Sequence, residues 1–377
     1  MKRVTRKRMN KAGTTEMPRN NKRLLYVASN MRHINNFHTE YIAALKDSGY
    51  SVSVMARGEG ADFDIPFEKK LFSPKNTASR KKIRKIIKEN AFDAIILNTS
   101  LAAFHVRLAC PIKNKPKIVN IVHGYLFSKD INPIKRLLLL FCEIIMRGKT
   151  DVVVTMNQDD YETANKFKLA KDAIYQSRGM GATLRPEITP PEKIRKEYFN
   201  EGDFVMTFVG ELSGRKNQSF LIDALAKIKK DVPSAKLCLV GEGAEREALA
   251  KRAEALSLEK DVIFTGNRPD ACDFIRACDL YVSASTIEGL PFNLVEAMGA
   301  KKTRLVSKIK GHTDLVTEGE SGFLFEFGNL DEFVEKVKKI YKKEFAISPE
   351  KVYESHLKFE KRSVFPETLE IMKTAIK

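Results

Sequence analysis

Short runs of β-branched and aliphatic residues alternate along this chain with longer stretches whose apolar positions recur every three or four residues. In the first half the runs are RLLYVAS (23–29), SVSVMA (51–56), DAIILNT (93–99), KIVNIVH (117–123) and DVVVTM (151–156). In the second they are DFVMTFVG (203–210), KLCLVG (236–241), DVIFTG (261–266), LYVSAS (280–285) and TRLVSK (303–308). Unbroken apolar runs of this length read as strands buried on both faces, as in parallel sheets. Segments such as IDALAKIKKD (222–231) and EREALAKRAEAL (245–256) carry the helical period between them. The pattern predicts an α/β fold with two Rossmann-like, doubly wound parallel-sheet domains. It breaks at SRGMGATLRP (177–186), where glycines give way to Pro186, Pro190 and Pro191 in the manner of a hinge. The expected organisation is a basic tail over 1–22, an N-terminal domain over 23–182, a C-terminal domain over 183–350, and a closing segment over 351–377.

Composition narrows the class. Of 377 residues 43% are hydrophobic and 30% charged, which suits a soluble globular chain. No run of about 18 apolar residues exists to span a membrane, and the basic N-terminus lacks the apolar core of a secretory signal. The cysteines are Cys110, Cys142, Cys238, Cys272 and Cys278. Odd in number and without C-x-x-C spacing, they point to neither a disulfide framework nor a zinc site, and a cytoplasmic location is expected.

The net charge of +18 is unevenly placed. Residues 1–185 hold 35 Lys and Arg against 16 Asp and Glu, while residues 186–377 hold 31 against 32. Such asymmetry implies an anionic partner for the first half. SRKKIRKIIKEN (79–90) and INPIKRLLLLFCEIIMRGKT (131–150) combine apolar positions with flanking Lys and Arg. Both fit interfacial helices at an anionic membrane surface, or core helices with a basic outer face. No nucleic-acid-binding signature occurs, so nucleic acid is not an expected partner.

Candidate chemistry collects after the strands of the second half, where open α/β sheets bind ligands. FVGELSGRKN places Gly210, Arg215 and Lys216 after one strand, LVGEG places Gly241 and Gly243 after the next, and FTGNRPD places Gly266, Asn267 and Arg268 after a third. ASTIEGLPFNLVEAMG (284–299) follows a fourth, with Glu288 and Glu296 eight residues apart. Pro291 suits the start of a helix. Side chains lean toward a helix N-terminus, so both carboxylates can face that start, where unpaired amides and the macrodipole favour a phosphate. Two acids beside an anion site suit a ligand that is neutral, anionic and neutral in turn, such as a sugar nucleotide with its ribose diol, diphosphate and hexose.

These blocks, with SGFLFEFGN near the C-terminus, resemble the family 4 glycosyltransferases of GT-B fold, retaining enzymes that use nucleotide sugars. The likeness is to those building bacterial capsular and extracellular polysaccharide. VASNMRHINNFHTEYIAALKDSGYSVSVMA, NIVHGYLF and TMNQDDYETANKF in the first half are similar too, so the resemblance spans residues 22–375. It implies two domains facing a central cleft. It implies that Glu296 binds the ribose diol and Glu288 hydroxyls of the transferred sugar, while Gly289, Leu290, Pro291, Phe292 and Asn293 bring backbone amides to the sugar or distal phosphate. Lys216 would meet the diphosphate with Arg215 beside it. Gly241, Gly243 and Gly266 would approach the nucleotide, with its base on backbone near Asn267 and Arg268. Glu211 stands where many members carry arginine, so Arg215 or Arg268 would supply that charge. His123 would face the sugar and acceptor, and the loop bearing Asn30, Arg32, His33 and His38 would lie where acceptor and phosphates meet. His105 and His312 have weaker claims to a role. FPETLEIMKTAIK (365–377) matches the family's closing helix.

The activity so implied is retaining transfer of a hexose or N-acetylhexosamine from a UDP-sugar to a lipid-linked saccharide, at the inner face of the plasma membrane. Attack would come from the acceptor on the face the diphosphate leaves, upon closure about the hinge, without a metal ion. The alternatives are a GT-B-fold sugar-nucleotide isomerase or epimerase, and a non-catalytic basic scaffold binding nucleic acid or membrane.

Overall fold

A computed structural model describes residues 22–68, 73–127 and 132–377. Most of the basic tail, residues 1–21, lies outside the described residues. Contacts divide the chain into two compact units. One comprises the residues up to Asn120 with Lys149–Asp151 and Met372–Lys377; the other comprises Ile121–Gly148 and Val152–Ile371.

In the first unit, β1 (Arg23–Val27), β2 (Ser51–Ala56), β3 (Phe63–Asp64), β4 (Ala94–Leu97) and the first four residues of β5 (Lys117–Val122) pair in the order 3-2-1-4-5, all parallel. The pairing falls on the apolar runs because every residue of β4, and all but the first of β1, is buried. The helix Pro74–Asn90 buries Ile83, Ile86 and Ile87 in this core. Its apolar face is therefore spent inside the protein, so of the two readings of SRKKIRKIIKEN the core helix holds and the interfacial one does not.

The second unit contains the parallel pair β6 (Val152–Thr155) and β7 (Ala173–Gln176). It also holds a six-stranded parallel sheet of β8 (Phe204–Val209), β9 (Ala235–Val240), β10 (Val262–Gly266), β11 (Leu280–Ser283), β12 (Arg304–Ser307) and β13 (Phe323–Phe325), in the order 10-9-8-11-12-13. This is the doubly wound arrangement, and its order reverses between β8 and β11. Two cores flank the sheet, one around Phe208, Leu225 and Phe333 and the other around Phe274, Tyr281 and Met298. The expected α/β fold with two parallel-sheet domains is present. The short strands β3, β7 and β13 are additions to the sequence reading.

All five cysteines are buried. Among the described residues no helix is long and apolar enough to cross a membrane. The helix Pro133–Met146 is apolar on two sides. Cys142 and Met146 are buried, and Leu139, Leu140 and Ile144 pack against Val122, Tyr125 and Phe127. Ile134, Leu137, Leu138, Phe141 and Ile145 stay exposed beside exposed Lys135 and Arg136.

Candidate active site

The reversal of strand order decides which loops meet. Chains leaving β8 and β11 at their carboxyl ends turn to opposite sides, and the crevice so opened is the ligand site of doubly wound sheets. The loop after β8 carries Arg215 and Lys216; the loop after β11 carries Glu288. Thr286 N donates to Arg215 O at 2.9 Å, tying the two loops together.

Lys216 and Glu288 form a buried ion pair, Nζ to Oε1 at 2.5 Å, with side-chain exposures of 10% and 7%. Arg215 donates to the other carboxylate oxygen at 3.2 Å and to Ile287 O at 3.1 Å. Burial alone would push the Glu288 carboxyl up. Lys216, Arg215 and the nearby His312 more than reverse that and hold it at about 2. Two desolvated charges of this kind are a poor source of stability compared with an apolar pair of equal volume.

Arg268 is held elsewhere. It forms a two-pronged pair with Asp270 at 2.8 Å for each bond, donates to Tyr198 Oη, and lies over the Phe274 ring. Of the two arginines considered as a replacement at position 211, the structure brings only Arg215 to the Lys216–Glu288 pair. The Glu211 residue itself is exposed, and Asn267 is exposed as well.

The helix Phe292–Gly299 starts one residue after the sequence-based position, with Pro291 at its cap in extended conformation. Leu294, Val295 and Met298 bury one face in the core. Asn293 Nδ2 donates to Val209 O, so the helix start is moored to the end of β8. Leu290 and Phe292 pack their side chains against the core. Glu296 lies further along, 13% exposed, 3.6 Å from Arg185 Nε. Its carboxyl is raised by burial, against the pull of Arg185, the Cys272 thiol and Arg276.

Backbone meets backbone at the glycines. A Cβ on Gly241 would lie 2.0 Å from Gly210 O, and one on Gly243 would lie 2.1 Å from Leu212 O. Gly241 N also donates to Gly266 O at 2.9 Å, so the loops after β8, β9 and β10 stack without side chains between them. A Cβ on Gly289 would stand 1.7 Å from His123 O. That contact places the turn after β5 directly against the residue next to Glu288. Gly124 and Gly311 complete it, their Cβ positions falling 2.8 Å and 2.6 Å from Gly289 backbone atoms.

Several polar groups around this contact escaped the sequence reading. Lys310, Asp160, Asn157 and Asp314 form a network beside Gly289. His312 is wholly buried and donates from Nδ1 to Ser307 O at 2.8 Å. Burial lowers its pKa to about 4, although Glu288 pulls it up. The sequence reading gave His312 little weight because a lone histidine in a loop has no local pattern.

Comparison with known proteins bears on the family and the fold. The family model described as "Glycosyl transferases group 1" matches residues 190–359. EpsD of Bacillus subtilis (strain 168), named as a glycosyltransferase, is 30% identical over 337 residues, covering 85% of this chain and 88% of EpsD. The Escherichia coli UDP-Gal:alpha-D-GlcNAc-diphosphoundecaprenol alpha-1,3-galactosyltransferase is 26% identical over 271 residues, 68% of each chain. Among solved structures, Anabaena Alr3699/HepE in complex with UDP and glucose superposes with a TM-score of 0.70 at 20% identity, over 94% of this chain and all of that one. The two doubly wound sheets, the loops gathered at a strand-order reversal, and the extent of the match to EpsD together establish that the chain belongs to the family 4 (group 1) glycosyltransferases of GT-B fold.

Proposed function

We propose that this glycosyltransferase moves a hexose or N-acetylhexosamine from a UDP-sugar to a lipid-linked saccharide in cell-surface polysaccharide synthesis, with retained configuration and without a metal ion. The observation that carries the reading is the buried Lys216–Glu288 pair with Arg215 at the strand-order reversal. Support for UDP and for the lipid-linked acceptor comes from the names of the Escherichia coli relative and of the Anabaena neighbour.

In this reading a diphosphate takes Lys216 and Arg215 as its counter-cations, and Glu288 is freed to accept hydroxyls of the sugar. The barrier is loss of the diphosphate from an oxocarbenium-like centre. Fixed cations and the amides of Leu290–Asn293 at the helix start stabilise the charge that develops on the leaving oxygens, an effect worth several kcal/mol. Glu288 is assigned to hydroxyls and is no nucleophile, so the acceptor attacks from the face the diphosphate leaves. His123 orients the acceptor or sugar, and Glu296 holds the ribose diol.

The apolar face of Pro133–Met146 is the surface proposed to rest on an anionic membrane at the cytoplasmic side. Its exposed Ile134, Leu137, Leu138, Phe141 and Ile145 would enter the interface with Lys135 and Arg136 at the headgroups. The donor site is tested by calorimetric titration with UDP, GDP, ADP and CMP, for the wild type and Glu296→Ala. UDP should bind, weakened in the variant by about 1 to 3 kcal/mol. Absence of UDP binding, or equal binding by the variant, would overturn the assignment.

A further inference from the structure

Three segments far apart in sequence converge on Gly289: the turn after β5, the start of the helix Gln158–Lys166, and the loop after β12. All belong to the second compact unit. Lys310 Nζ donates to Tyr125 O and to Asp160 Oδ1, each at 2.6 Å, and the ion pair has side-chain exposures of only 6% and 3%. Asp160 Oδ2 in turn accepts from Tyr125 N at 3.0 Å, so both backbone groups of Tyr125 are engaged. Asn157 caps the helix by accepting from Asp160 N at 2.8 Å, and its Nδ2 donates to Asp160 at 2.8 Å and to Gly289 O at 3.1 Å. Asp314 bridges the other side, accepting from Gln158 N at 2.8 Å and Gly311 N at 3.1 Å.

A buried lysine–aspartate pair is a poor source of stability. Here it engages the backbone of Tyr125, at the turn bearing His123 and beside the loop bearing Glu288. We infer that Lys310 and Asp160 are positioning residues for sugar transfer, holding the His123 turn in register against the Glu288–Gly289 loop through Tyr125 and Asn157. The inference rests on the reading of Glu288 and His123 as groups facing the transferred sugar. The pair touches none of the groups assigned to the nucleotide, so its loss should impair turnover and spare UDP binding.

The test compares Lys310→Met, Asp160→Asn and Lys310→Arg in the full chain. UDP affinity is measured by calorimetry, kcat and KM by UDP release from a panel of UDP-hexoses, and amide exchange over residues 121–125 and 286–290. The expected result is UDP affinity within about twofold of wild type, kcat lowered about 100-fold by Met or Asn, faster exchange in both segments, and partial rescue by Arg. A kcat within threefold of wild type, or a UDP affinity that falls as far as kcat, would overturn the inference. Should the charge variants fail to fold, Asn157→Ala removes the bond to Gly289 while keeping the ion pair, and the same kcat loss is required of it. If wild type itself does not bind UDP, the donor assignment fails, and the exchange measurement still decides whether Lys310 and Asp160 hold the two segments together.

Discussion

Replacing Gly289 by alanine should be among the most damaging single-methyl additions to this protein. The new Cβ would lie 1.7 Å from His123 O, whereas real Cβ contacts do not fall below 3.0 Å, so the two loops must part by the difference, about 1.3 Å. The obstacle is backbone on both sides, with Gly124 N at 3.2 Å, so no rotamer change relieves it. Separation by that much stretches the 3.1 Å bond from Asn157 to Gly289 O beyond hydrogen-bonding range. Overpacking plus the lost bond costs about 2 to 3 kcal/mol, which lowers the melting temperature on the order of 5 °C. Activity should suffer more than stability, because a displacement of about 1 Å at a reacting centre costs about 100-fold in rate. The assay is UDP release with whichever UDP-hexose the wild type turns over, alongside a melting curve. Gly148→Ala is the control, since a Cβ there meets nothing within 4 Å. A Gly289→Ala protein with wild-type turnover and melting would refute the argument that this approach sets the site.

Lys216→Met should abolish transfer and destabilise the protein by about 1 to 3 kcal/mol, because it leaves a buried carboxylate oxygen without its partner while Arg215 still holds the other. Adding Glu288→Gln should recover much of the stability and none of the activity, as thermal melts and turnover of the three variants would reveal. His312 and His105 are both lowered to about 4 by burial. Since the unfolded chain takes up these protons below its ordinary value of 6.5 while the folded chain does so only near 4, stability should fall as pH drops through that window. Calorimetric melts at pH 7.5, 5.5 and 4.5 check this, and His312→Gln should flatten the slope. Leu137→Ser with Phe141→Ser should abolish co-sedimentation with phosphatidylglycerol vesicles and leave UDP binding unchanged. Equal sedimentation of wild type and variant would remove the helix Pro133–Met146 from the proposed membrane surface.

Much of this architecture could be read along the chain, for a definite reason. Apolar runs report burial on both faces, and ligands of open α/β sheets sit beyond the carboxyl ends of strands, which is how Arg215, Lys216 and Glu288 stood out as candidates; the strand-order reversal that brings their loops together emerged only from the structure. Their partnership was less apparent. The resemblance assigned Lys216 to phosphate and Glu288 to sugar, whereas the structure joins them to each other. Asp160 lay within the block TMNQDDYETANKF without standing out, and its pairing with Lys310, 150 positions away, has no local period to announce it. The isoleucines of the helix Pro74–Asn90 left two readings open, and the structure takes the core one. An amphipathic stripe has the same spacing whether it faces a core or a lipid surface, and only the packing distinguishes the two.

The burial of every cysteine has a practical consequence for following this protein in solution. Burial pushes the Cys110 thiol to about 11 and those of Cys272 and Cys278 to about 12, and it raises Cys238 as well. Cys142 is buried too. Maleimides and iodoacetamides react with thiolates at accessible positions, so the native chain should take up little label. A single introduced thiol, such as Ile134→Cys on the exposed helix face, would be the site that takes the dye. A fluorophore at that point would report contact with a bilayer by its change in emission, with all five original cysteines left in place.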